Sequence, residues 1–263
     1  MRKAMITRTL KNQRGMSMVE LLIALAIGSL VLGVGVVAFT KMQTLFKNQE
    51  DGSIIREIAR FAAQEQTRDL RMVGYGLPAA AAITSATSNS IAYRSNTDDI
   101  STTAPADIAA GAATITVNNA TGFTAGKNIV ILSAMTSPIT YELKTIAAVA
   151  GNLITLDSAL ANSYSLVNVT IINGYRSVAI TFDSANKRIT RSVDGVGVDT
   201  ENVSTLDYAY YDKAGSSLAA PVSSANLPNI RRINISLTLS DSNNSSATIA
   251  IDNTHVNLRN MNQ

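Results

Sequence analysis

The sequence predicts an α+β protein: a long N-terminal helix, membrane-spanning in its first half, packed on an antiparallel β head with a small inserted β-module. Three observations predict it. Nineteen consecutive residues, Leu21 to Phe39, carry no charge. No proline occurs before Pro78, so nothing forces a break in the helix. After Pro78 the chain turns into short β-type runs broken by Asn, Gly, Ser and Asp.

The 263 residues are 46% hydrophobic, enough for a sizeable core, and include no cysteine and one histidine. The absence of cysteine excludes disulfides, thiolate metal sites and a cysteine nucleophile. The formal net charge of +3 invites a nucleic-acid reading until the charges are located. Arg2, Lys3, Arg8, Lys11 and Arg14 lie in the first fifteen residues, which hold no acid. Beyond Gly15, 17 bases face 19 acids, and from Lys41 onward 17 face 18. The basic balance therefore belongs to the leader.

The uncharged run is long enough to cross a bilayer, which needs about 20 apolar residues. Its basic flank places the N-terminus in the cytoplasm and the bulk of the chain outside. Glu20 stands at the start of this run, where a carboxylate in hydrocarbon costs on the order of 2.5–3.5 kcal/mol. Such a group needs a partner or an outlet to water.

Gly15-Met16-Ser17-Met18-Val19-Glu20 joins the basic leader to the apolar run. This resembles the class III signal of type IV pilins and type II secretion pseudopilins. The resemblance implies cleavage after Gly15 by a prepilin peptidase and N-methylation of the new terminus at Met16. Phe is the usual residue there; Met is a minority choice. The resemblance also implies that Glu20 meets the terminal amine of a neighbouring subunit during filament assembly. A pair within one chain is also open, since residues four apart share a helix face.

The organisation expected is a leader over 1–15, a transmembrane assembly helix over 16–40, an amphipathic continuation over 41–76 and a β-rich head over 77–263. A helix from Met16 to about Met72 would span roughly 85 Å. Ile54, Ile55, Ile58, Phe61 and Ala62 follow the spacing of a buried stripe. Asp51-Gly52-Ser53 marks a weak point, either a kink or an end followed by a Ser53 cap.

Strands are expected at Ser90–Arg94, Thr114–Val117, Asn128–Leu132, Tyr141–Ala148, Leu153–Leu156, Ser177–Thr181, Arg188–Ser192, Thr205–Tyr211, Arg231–Leu239 and Ser246–Ile251. The pieces LRMVGYG, LDYAYYDKAG, IRRINISLTLS and VNLRN resemble the PilW-type minor pilins. The stretch over 105–165 departs from that outline and reads as the inserted β-module.

Chemistry is sparse. His255 is the lone histidine, and no nucleophile elbow, P-loop or GxGxxG is present. No enzyme activity, cofactor or metal is expected. Asp98-Asp99 and the acids of Asp194 to Glu201 read as solvated turns, although calcium accepts such oxygens. Arg231-Arg232 and Lys187-Arg188 are short basic pairs; a nucleic-acid surface needs a larger patch with aromatics interleaved, so none is expected.

The resemblance implies a minor subunit of a type IV pilus that helps initiate assembly or forms the tip. Its partners would be the prepilin peptidase, other minor and major pilins and an inner-membrane assembly platform. Its location would be the inner membrane, head periplasmic, and then the extracellular pilus. The rival expectation is a tip adhesin or DNA-capture subunit acting through the inserted module.

Overall fold

A computed structural model describes residues 17–240 and 248–262. The chain divides into two compact units between Glu50 and Asp51. Helix α1 (Met18–Arg71) begins in the first unit and is helical through Asp51, Gly52 and Ser53, so the glycine neither ends it nor introduces a cap.

In the first unit the apolar residues of α1 are exposed among the described residues; Met18, Leu30 and Leu32 are all more than two-thirds exposed. The hydroxyls there are satisfied locally. Ser29 Oγ donates to the Ala26 carbonyl at 2.9 Å, and Thr40 Oγ1 to the Val37 carbonyl at 3.0 Å. Back-bonding of this kind lets Ser and Thr sit in an apolar medium without orphaned polar atoms.

In the second unit the buried face of α1 is Ile55, Ala59, Ala62, Ala63, Gln66, Asp69 and Leu70. This corrects the expected stripe. Ile54 is 50% exposed and Phe61 65% exposed, while Ala59 and Ala63 take inward positions. Small side chains let the sheet approach the helix closely, and Ile55 and Leu70 at the two ends each contribute about 1.5–3 kcal/mol by burial.

The head follows as α2 (Ala79–Ala82), β1 (Ile83–Ala86), β2 (Ser90–Ser95), β3 (Ser101–Thr103), β4 (Thr114–Thr116), β5 (Asn128–Ser133), β6 (Tyr141–Ala150) and β7 (Leu153–Leu156). Then come β8 (Thr170–Asp183), β9 (Arg188–Val193), β10 (Val196–Thr200), β11 (Val203–Tyr211), β12 (Ser217–Leu218), β13 (Arg232–Ser240) and β14 (Thr248–Asn257). Every pairing is antiparallel. One sheet runs β12-β11-β13-β14; the other is organised around β8.

Strand β8 is 14 residues long, whereas only its Ser177–Thr181 segment is legible as a strand. Its second half pairs β2 and β9, and its first half pairs β5 and β3. Three cores lie along it, a small one joining Tyr175 to Leu77, Ala81, Val130 and Leu132. One gathers the α1 face with β2, β9, β11 and β13. A second gathers residues between Ala104 and Ile172, including Ile129, Ile146, Ile154 and Tyr164. Beside that second core Glu142 on β6 holds the loop at Ala161 and Asn162. Burial pushes its carboxyl up, but the amides of Ala161 at 2.9 Å and Asn162 at 2.7 Å, with Lys144 beside it, hold it below the usual range.

The segment Gly74-Tyr75-Gly76 turns the chain from α1 toward the sheet. Gly74 and Gly76 have φ of +72° and +74°. A Cβ at Gly74 would lie 2.9 Å from the Ala82 Cβ, and one at Gly76 2.9 Å from the Asn96 Cβ. The backbone here is fixed: Gly74 N–H donates to the Arg94 carbonyl and Asn96 N–H to the Tyr75 carbonyl. Gly74→Ala is expected to lose about 2–4 kcal/mol in denaturant unfolding, from left-handed strain plus the clash. A loss below 0.5 kcal/mol would show that the turn relaxes freely.

Candidate functional site

The N-terminal site is built from the helix start. Leu21 N–H donates to the Ser17 carbonyl at 3.1 Å, the first turn of the helical ladder. Val19 N–H donates to Ser17 Oγ at 3.4 Å. Ser17 N–H donates to Glu20 Oε2 at 3.0 Å. Ser17-Met18-Val19-Glu20 is therefore a reciprocal capping box, in which the serine caps the helix and the third-position glutamate reaches back. Both residues are exposed. The Ser-x-x-Glu spacing is present in the sequence; reading Glu20 only as a charge in hydrocarbon overlooks it.

Glu20 thus has a backbone partner at the mouth of the apolar helix. One of its oxygens takes that bond, and an ionised carboxylate has lone pairs left for a second, cationic partner. Gly15 and Met16, the expected cleavage and methylation positions, lie outside the described residues.

In the head, the polar contacts across the helix–sheet seam were not legible. Asp69, buried, accepts from Arg191 Nε on β9 and from Arg191 Nη2 at 3.2 Å. Tyr93 OH donates to the Asp69 carbonyl at 3.1 Å, and Tyr208 OH to Gln66 Oε1 at 3.0 Å. Burial, with Asp69 nearby, pushes the Tyr93 phenol well up, so it stays a neutral donor. Asn260 Nδ2 donates to the carbonyls of Arg71 and Val73, satisfying the end of α1.

The acidic stretches are tied into the head by ion pairs and hydrogen bonds. Asp98 bonds Arg176 at 2.9 Å and Lys127 at 3.1 Å. The Arg176 guanidinium holds its carboxyl below the ordinary range. Asp194 bonds Arg176, and Asp199 bonds Arg188 and Thr190. The segment containing Asp199 is strand β10 in a hairpin with β9, not a solvated turn. Among the described residues no group of three or more His, Asp or Glu side chains could hold a metal. His255 is exposed on β14, with Nδ1 2.8 Å from Asn234 Oδ1.

Comparison with known proteins adds the following. The family profile described as the prokaryotic N-terminal methylation motif matches residues 10–36. No curated protein matches the chain. Two solved phage tailspikes share local similarity. The Gp54 tailspike of Acinetobacter baumannii bacteriophage AP22, solved with a capsular saccharide, is 18% identical, with a TM-score of 0.26. The match covers 35% of this chain and 15% of that one. The Pseudomonas phage phi297 tailspike gp61 is 15% identical over 27% of this chain and 13% of its own, also with a TM-score of 0.26.

The methylation motif implies processing by a prepilin peptidase and association with the membrane. The matched stretch runs into the first part of a helix, Met18–Arg71, long and apolar enough to cross a bilayer. Together the motif and the helix support a type IV pilin-like protein.

Proposed function

We propose that the chain is a minor pilin, of the PilW-like kind, cleaved after Gly15 and methylated at Met16. It would be held in the inner membrane by α1, head outward, until it enters a type IV pilus to initiate assembly or form the tip. The observation that carries this reading is the methylation motif leading into an apolar helix that is exposed among the described residues. A surface of that kind needs lipid or the helices of other subunits. We read residues 105–165 as an insertion, supported by a hydrophobic cluster drawn mostly from that stretch, which joins the rest of the head where β5 pairs β8.

The experiment follows processing and incorporation in cells that assemble the pilus. Gly15→Leu is expected to abolish the mature form; a mature band of normal size and level would end the reading. Glu20 needs two substitutions, because the capping box gives it a second job. Glu20→Ala removes both charge and cap, a cap being worth about 0.5–2 kcal/mol. Glu20→Gln keeps an oxygen for Ser17 N–H but loses the charge. Both variants are expected to drop out of sheared pili. Recovery by Gln would reduce Glu20 to a capping residue.

A further inference from the structure

We propose that a cationic run across the head, from the end of α1 past β14 to the β11–β12 turn, binds the phosphate backbone of nucleic acid without base preference. The inference does not rest on the filament reading. It departs from the expectation drawn from the sequence, where only short basic pairs are visible.

Three clefts join through shared residues. The first, of about 630 Å³, is lined by Arg60, Arg68 and Arg71 with Ile251 and Thr254. The second, of about 460 Å³, shares Arg71 and adds Arg259, Tyr75 and Asn96. The third, also about 460 Å³, shares Arg259 and adds Arg231, Arg232 and Lys213. The three together hold seven cations and two carboxylates. Both carboxylates are already engaged: Asp99 accepts from Tyr75 OH at 2.9 Å, and Asp212 from Ser216 N–H at 2.8 Å.

Among the described residues, no cation of this run forms an ion pair. Lys127, Lys144, Arg176, Arg188 and Arg191 each have a carboxylate partner. Seven of the 17 bases beyond the leader thus gather on this path without an ion pair among the described residues. Two are held in place. The Arg232 guanidinium stacks 4.2 Å from the Tyr211 ring centroid, and Arg231 Nη1 donates to the Ile230 carbonyl at 3.0 Å.

A single phosphate or carboxylate would occupy one cleft and leave the others bare. Arg60 to Arg71 alone cover about 16 Å of helix. A nucleic-acid strand offers a phosphate every 3.4 Å or so of rise, dense enough to meet each cation in turn. Tyr75, 37% exposed, lies in the middle cleft, where a base can stack. An acidic protein face gains nothing specific from that ring.

The test uses the full-length chain in detergent micelles and a fluorescein-labelled 30-nucleotide strand, followed by anisotropy across a salt series. Binding is expected to weaken steeply with salt, by about 0.7 log units per contact for each tenfold rise. Arg71→Gln/Arg259→Gln should weaken low-salt binding at least tenfold and flatten the slope by about 1.4. Arg71→Lys/Arg259→Lys should retain binding, and Lys47→Gln/Lys187→Gln, off the run, should leave it unchanged. Equal losses in the Gln pair and the off-run pair would overturn the assignment, as would a Lys pair as weak as the Gln pair. Equal, equally salt-sensitive binding to polyglutamate or to phosphatidylglycerol vesicles would also overturn it. In that case the run would serve an acidic protein face or a membrane.

Discussion

Tyr208→Ala is expected to cost the head about 4–5 kcal/mol, enough to leave many domains of ordinary stability only marginally folded. Tyr208 lies on β11 and is 2% exposed. Its ring packs near Tyr210, centroids 6.4 Å apart, and its hydroxyl donates to Gln66 on the buried face of α1. Truncation removes the ring from the seam between helix and sheet and leaves the Gln66 oxygen without its donor. The control is Tyr208→Phe, which keeps the ring and loses only the bond, at about 1–2 kcal/mol. Denaturant unfolding of the detergent-solubilised chain separates the two. Similar costs for both would mean the hydroxyl, not the packing, dominates.

Asp69→Ala is expected to cost about 3 kcal/mol by the same measurement. Breaking a buried pair leaves the surviving charge uncompensated, typically at 3–5 kcal/mol. The low end applies here because the Arg191 side chain keeps 31% of its exposure and can reach water. Asp69→Ala/Arg191→Met should recover at least 1 kcal/mol of that loss, because an apolar pair needs no desolvation. No recovery in the double variant would show that Asp69 acts through packing alone. The Tyr93 bond is a useful internal check: it goes to the Asp69 backbone carbonyl, so it survives both changes.

Much of the fold was legible because it depends on short-range pattern. The apolar run, the missing prolines and the Gly-Pro break after Val73 put the helix from Met16 to about Met72, close to α1 (Met18–Arg71), although the continuation drawn over 41–76 runs five residues past its end. Alternating β-branched runs locate β5, β7 and β13 closely. The errors share a cause. The first half of β8 was missed because Asn173 and Gly174 interrupt its alternation, yet β3 and β5 pair across them. The buried stripe of α1 was misread because Ile54 and Phe61 are the larger residues, while close approach to the sheet selects alanine. Strand β10 was hidden by its glycines and acids, which face solvent on an edge strand.

By itself the sequence determined the anchor: a basic leader, a glycine, a glutamate five residues on and a helix that can cross a membrane. Those features act through local charge and hydrophobicity, so they survive without a fold. Only the tertiary structure decided that Glu20 closes a capping box, that Asp69 and Gln66 fasten helix to sheet, and that the acids near Asp98 and Asp194 are answered by arginines. It also gathered Arg71, Arg231 and Arg259, up to 188 positions apart in sequence, onto one path. Partners that distant are chosen by strand pairing and packing, and no periodicity along the chain records that choice.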